Sequence, residues 1–135
     1  MSTHSRIGYQ DPNTKQFHSI YCHFDGYLSN NGRILLEHYQ DFDKIVSLVA
    51  LGDISALGEN INPSGPHNYD KPEENVVIAY KRDRGETDVD ASIDCIAKTD
   101  QEYNYYFIDG VWNWCQEKNR HALLPFTLAD CKRGN

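Results

Sequence analysis

EYNYYFIDGVWNWCQ, residues 102–116, decides the fold. Asp109-Gly110 stands between two runs of aromatic and β-branched residues, and that dipeptide favours the two-residue type I′ turn that joins antiparallel strands. The stretch therefore predicts a hairpin. Tyr103, Tyr105 and Phe107 line one face of its first strand and Tyr106 and Ile108 the other; in its second strand Trp112 and Trp114 share a face opposite Val111, Asn113 and Cys115.

A second hairpin opens the chain. SRIGYQ (5–10) leads through DPNTKQ into FHSIYCHF (17–24), with Asp-Pro-Asn as punctuation. Alternation puts His18, Ile20, Cys22 and Phe24 on one face and Phe17, Ser19, Tyr21 and His23 on the other. The Cys22 thiol and the His23 ring therefore point to opposite sides and do not form a nucleophile and base. Cys22 reads as core, between Ile20 and Phe24, which leaves Tyr21, His23 and Asp25 as a candidate polar face.

Between the hairpins, NGRILLEHYQ (31–40) reads as a short helix with Ile34, Leu35 and Tyr39 turned to a core. A second helix follows, capped by Asp41, with Asp43 at the positive end of its dipole. Ile45, Val46, Leu48, Val49 and Leu51 form its apolar stripe, and Gly52 ends it. LGDISALG (51–58) reads as one tight, partly buried turn. Residues 59–75, with three prolines and no apolar period, read as a long loop.

VVIAYKRD (76–83) reads as a strand, with Val76, Ile78 and Tyr80 opposite Val77 and Ala79. TDVDASIDCIAKTD (87–100) suits an exposed strand, with a helical turn as the alternative. HALLPFTLADCKR (121–133) is expected to close the domain with an apolar strap and a helical turn from Thr127. This order implies one α+β domain over residues 1–135: an antiparallel β-sheet built from hairpins with two short helices packed on one side, and no favoured parallel crossover.

The 135 residues carry a net charge of -7, which argues against a protein that coats nucleic acid, since phosphate binding needs a basic face. An acidic surface suits plain solubility or a basic protein partner, and in the second case a small protein of this kind could occupy another protein's nucleic-acid groove. Residues 1–20 contain His4, Arg6, Asp11, Lys15 and His18 and no apolar run, and no later stretch is long enough for a membrane span; the expectation is a cytosolic protein. Cys22, Cys95, Cys115 and Cys131 show no CxxC pairing and are expected as free thiols.

No nucleophile-elbow, P-loop or dinucleotide motif is present, so no catalytic residue is assigned. Cys22, His23, Asp25 and His38 fall close together but at no zinc-site spacing, so neither metal nor cofactor is expected. Two binding constellations remain. Arg82 and Arg84 with Tyr103, Tyr105, Trp112 and Trp114 would suit a nucleotide, guanidinium on phosphate and aromatic ring on base. Tyr69, Asp70, Glu73, Glu74, Glu86, Asp88 and Asp90 would suit a basic protein surface, with Tyr69 or an exposed Trp as anchor.

RIGYQ, SIYCHFDGY, NNGRILLEHY, DKIVSLVALGDISALGE and VVIAYKRDRGE together resemble a recurrent pattern in small proteins of phages, prophages and plasmids, over about two-thirds of the chain. The resemblance implies a mobile-element setting, where short acidic accessory proteins act on host defence by contact. The leading expectation is stoichiometric binding that inhibits a CRISPR or restriction type protein in the host cytosol. The alternative is a nucleotide-binding protein that sequesters a small signalling molecule; a small hydrolase using His23 and Asp25 ranks third.

Overall fold

The computed structural model describes residues 2–116 and 122–132. In chain order the elements are β1 (Ser5–Gln10), β2 (Phe17–Cys22), a π-helical turn (Leu28–Gly32) running into α1 (Arg33–His38), α2 (Phe42–Ala50), β3 (Ile54–Ala56), β4 (Ile78–Ala79), α3 (Tyr80–Arg84), β5 (Ser92–Asp94), β6 (Tyr103–Ile108), β7 (Val111–Gln116), β8 (Leu124–Pro125) and α4 (Leu128–Lys132).

Both hairpins form. Asp109 and Gly110 take φ of 51° and 80°, the left-handed pair that a type I′ turn requires, and Phe107 faces Trp112 across β6 and β7. Ile7 faces Ile20 across β1 and β2. The strand order is β4-β3-β2-β1-β6-β7-β8, with β5 also on β2. The α+β class holds, with the sheet mixed: β1 runs parallel to β6 and β2 parallel to β3. Tight-turn signals report only strands joined by a short loop. The hairpins meet through β1 and β6, and the long chain between β2 and β6 supplies the return that a parallel pairing needs.

Four local readings are corrected. LGDISALG is not merely a turn: Gly52, at φ 82°, ends α2, and Ile54–Ala56 then run along β2 as β3. VVIAYKRD is extended only at Ile78–Ala79 before passing into α3. Asp83 accepts the Ala79 amide at 2.8 Å across the start of that helix, and Gly85, at φ 74°, closes it. The 87–100 stretch pairs only over Ser92–Asp94. Phe24, expected inside, lies beyond the end of β2 and is 42% exposed.

One face of the sheet carries the main core, where Ile7, Ile20, Cys22, Ile54, Tyr105, Phe107 and Trp112 meet Leu35, Tyr39, Ile45, Leu48 and Val49 of the helical side. Polar tips buried there find carbonyls: Trp112 Nε1 donates to Tyr39 O at 2.8 Å, Tyr39 Oη to Gly58 O at 2.7 Å and Tyr105 Oη to Gly26 O at 2.6 Å. The opposite face is lined by Arg6, Gly8, Ser19, Asn104 and Tyr106 and crossed by the chain before β6. Tyr106 Oη donates to Lys98 O, and Arg6 is paired with Asp100 at 2.7 Å.

Where the outer partner of β2 changes from β5 to β3, the Asp53 carboxylate accepts the Tyr21 amide at 2.9 Å and closes the gap in the ladder. All four cysteines are free thiols, only Cys95 being exposed. Among the described residues no helix is long and apolar enough to cross a membrane.

Candidate functional site

The loop of residues 59–75 is wired from within. Asn68 Oδ1 accepts the amides of Asp70 and Lys71, which turns the loop at its tip. Glu73 accepts both the amide and the hydroxyl of Ser64 and the amide of Gly65 at 2.8 Å; these bonds, that from Gly65 foremost, hold its carboxyl below the ordinary range. His67 Nδ1 accepts the Glu73 amide at 2.9 Å, so Nε2 carries the proton and donates to Asp83 at 3.0 Å. These two side chains are 1% and 5% exposed.

Asp83 joins the loop to α3. Besides His67 and the Ala79 amide, it is paired with Arg82 at 2.8 Å. Arg82 in turn donates to Ile61 O and Val77 O, each at 2.7 Å, so its guanidinium ties the start of the loop to β4. Tyr69 stacks on Tyr80 with ring centroids 5.9 Å apart, and the Arg84 guanidinium lies over Tyr69 at 4.7 Å while pairing with Glu86 at 2.9 Å. Lys81 reaches Asp90 at 3.2 Å.

Around this frame Asp70, Glu74, Asp88 and Asp90 are exposed, and Glu73, Glu86 and Tyr69 are half-buried. Residues 69–90 carry seven carboxylates against four lysines and arginines. The residues expected at a protein interface thus gather at one edge of the sheet. Asp70, Tyr69 and Arg84 share a shallow hollow there, and Glu73 and Glu74 line a neighbouring groove.

The nucleotide constellation is not brought together. Arg82 and Arg84 follow the edge strand β4, whereas Tyr103 and Tyr105 stand on β6 and Trp112 and Trp114 on β7, with β3, β2 and β1 between. At the spacing of neighbouring strands that separation is on the order of 20 Å. Tyr105 and Trp112 are interior core residues, and the Arg82 donors are engaged.

Alternation correctly separates Cys22 from His23. The thiol lies in the core, where burial pushes it up to about 11 despite hydrogen bonds with Asn31 and the Phe24 carbonyl. On the opposite face Tyr21 Oη and His23 Nδ1 are 2.7 Å apart, and burial pushes the Tyr21 phenol up to about 12. Asp25, at φ 55°, turns away towards the groove, so the pairing that a His23–Asp25 hydrolase needs does not occur.

His4, missed by sequence reasoning, stacks on His23 at 4.7 Å, and Ser2 Oγ stands 3.2 Å from His23 Nε2. The signal was the β1/β2 register: Ser5 faces Cys22, which puts His4 opposite His23. His38 ends α1 beside Glu37 and Glu59. Among the described residues no three His, Cys, Asp or Glu side chains gather as metal ligands.

Acid should open this frame before it unfolds the sheet. Burial works against ionisation of Asp83, but hydrogen bonds from Arg82, the Ala79 amide and His67 outweigh it and hold the carboxyl at about 2. A depressed carboxyl stabilises the fold above its unfolded value near 4, and that contribution, about 2 kcal/mol, is lost as pH falls towards 2. Hydrogen exchange at the Glu73 and Ala79 amides is expected to rise between pH 4 and pH 2 ahead of the β1 amides. The same step should be absent in Asp83→Asn, which starts with the frame loosened.

No protein-family model, no curated protein and no solved structure matches the chain.

Proposed function

We propose that the protein acts by stoichiometric binding, presenting the acidic face of loop 59–75, α3 and residues 86–90 to a basic host protein. In the mobile-element setting that its sequence resemblance implies, the partner is a nucleic-acid-handling defence component of the CRISPR or restriction type, met in the host cytosol. The observation that supports this reading is the interior wiring of the loop. His67, Asp83, Arg82 and Glu73 use their polar groups on the loop itself and leave Asp70, Glu74, Asp88 and Asp90 outward.

A surface ordered before binding loses little freedom on docking. Outward carboxylates of one sign steer a basic partner into place. Tyr69, already stacked on Tyr80, offers an aromatic edge beside Asp70 and Arg84. The nucleotide reading gains no comparable support, because its arginines and aromatics lie on different parts of the sheet.

Phage plating on strains that carry an active CRISPR or restriction system tests the proposal. Expression of the protein should raise plating at least tenfold against a susceptible system, and Asp70→Lys with Asp90→Lys should abolish the gain while thermal stability stays within a few degrees. Absence of protection across such systems, or full protection by the doubly reversed variant, would overturn it.

A further inference from the structure

Beside the acidic face runs a groove of about 350 Å³ between the loop on one side and the π-helical turn with α1 on the other. Its floor is apolar, formed by Ile34, Leu57 and Ile78, and its rim carries Asp25, Glu59 and Glu74. Among the described residues the Asp25 and Glu74 carboxylates make no side-chain hydrogen bond or ion pair, whereas Glu59 lies 3.5 Å from His38 and beside Lys44, whose ammonium bonds the Glu59 carbonyl at 2.8 Å. The one arginine at the rim, Arg33, is engaged: its Nη1 pairs with Glu37 at 2.8 Å and its Nε donates to Ser29 O. The groove therefore combines an aliphatic base with two carboxylates, Asp25 and Glu74, that pair with no cation among the described residues.

We infer that this groove takes an extended basic segment of the protein partner, seating lysine or arginine side chains with their methylene stems on the floor and their charged ends at Asp25 and Glu74. Long cationic side chains are amphipathic in this way, with an apolar stem and a polar tip. A free polyamine shares this methylene-and-ammonium chemistry; the peptide is favoured because the groove adjoins the acidic face, sharing Glu73 and Glu74 with it, where the basic partner docks, and spermine is the control that separates the two. The inference rests on the proposed binding of a basic partner and deepens it by naming what the partner must present.

A fluorescein-labelled nona-lysine peptide serves as probe, with nona-glutamate and spermine beside it. In ¹⁵N-resolved titrations nona-lysine should move the amides of Asp25, Gly58, Glu74 and Asn75 saturably and more weakly in high salt, and nona-glutamate should move none of them. Asp25→Asn with Glu74→Gln, chosen because both replacements keep side-chain size, should weaken nona-lysine binding at least fivefold with the remaining spectrum unchanged.

Shifts confined to residues 86–90, no saturable binding, or spermine binding as tightly as the peptide would each overturn the groove assignment. The two proposals fail separately. If defence inhibition survives the groove variant but is lost in Asp70→Lys with Asp90→Lys, the groove inference falls and the acidic face stands. If nona-lysine occupies the groove and no defence system is inhibited, the groove stands and the proposed function falls.

Discussion

Trp112→Ala should lower the unfolding free energy by about 3–5 kcal/mol, the range measured for removing a large aromatic from a core. Two losses add. The side chain is 1% exposed and meets Phe107 edge-on at 5.3 Å, so truncation leaves a cavity among ring and aliphatic neighbours that α1 and α2 hold in place. Its indole N–H also caps α1 by donating to Tyr39 O, and alanine leaves that buried carbonyl unpartnered. Trp112→Phe separates the terms, since it keeps much of the packing and loses the bond, and about 1–2 kcal/mol is expected from it.

Urea denaturation followed by far-ultraviolet circular dichroism reads both variants, and Trp114 remains as a fluorescent reporter. A loss below 1 kcal/mol in Trp112→Ala would show that the β7 side of the core closes over the gap. The consequence reaches the acidic face. Trp112 holds Tyr39, whose hydroxyl donates to Gly58 O just before loop 59–75 begins. Amide exchange at Asn60 and Val77, which are linked through the Asn60 carbonyl, should therefore quicken in Trp112→Ala.

What could be read from sequence follows from how far each cause extends along the chain. Asp109-Gly110 carries its own turn geometry, and the alternation of Ile20, Tyr21, Cys22 and His23 carries its own faces, so both hairpins and the separation of thiol from imidazole were legible. The parallel pairing of Ile7 with Tyr105 has no local cause: it is set by the common core of two hairpins and the helices between them. β3 and α3 were misread because three to five residues hold too little period to separate strand, turn and helix.

The acidic composition of the candidate face was visible, and its frame was not. His67 and Asp83 stand sixteen positions apart with no motif between them, and nothing in YKRDR announces that Arg82 will use its donors on Ile61 and Val77 carbonyls. The separation of the arginines from the aromatics of the nucleotide reading was hidden for the same reason, because adjacency to a strand end says nothing about which strands lie between two clusters.

Gly8→Val is expected to be the second most damaging substitution, although glycine inside a strand ordinarily weakens it and replacement should help. Gly8 sits in the strand that joins the two hairpins, facing Ser19 on β2 and Tyr106 on β6. A Cβ there would stand 2.3 Å from the His18 carbonyl oxygen and 2.8 Å from both Ser19 Cβ and Tyr106 Cε1. Tyr106 has little room to swing aside, since its hydroxyl is bound to Lys98 O.

Overpacking of this kind costs about 1–3 kcal/mol for alanine and more for valine, which adds two methyl groups to the same space. The contrast with Gly110 makes the test specific. Gly110 has φ of 80° but nothing within 4 Å of an added Cβ, so Gly110→Ala should cost only the left-handed backbone penalty of about 1 kcal/mol. Removing the ring as well, in Gly8→Ala with Tyr106→Ala, should not restore stability, because the His18 carbonyl is backbone and stays where the ladder puts it. Recovery in that double variant would locate the whole conflict in the ring; persistent loss, with faster exchange in β6 amides than in α2, would show β1 parting the two hairpins along their parallel seam.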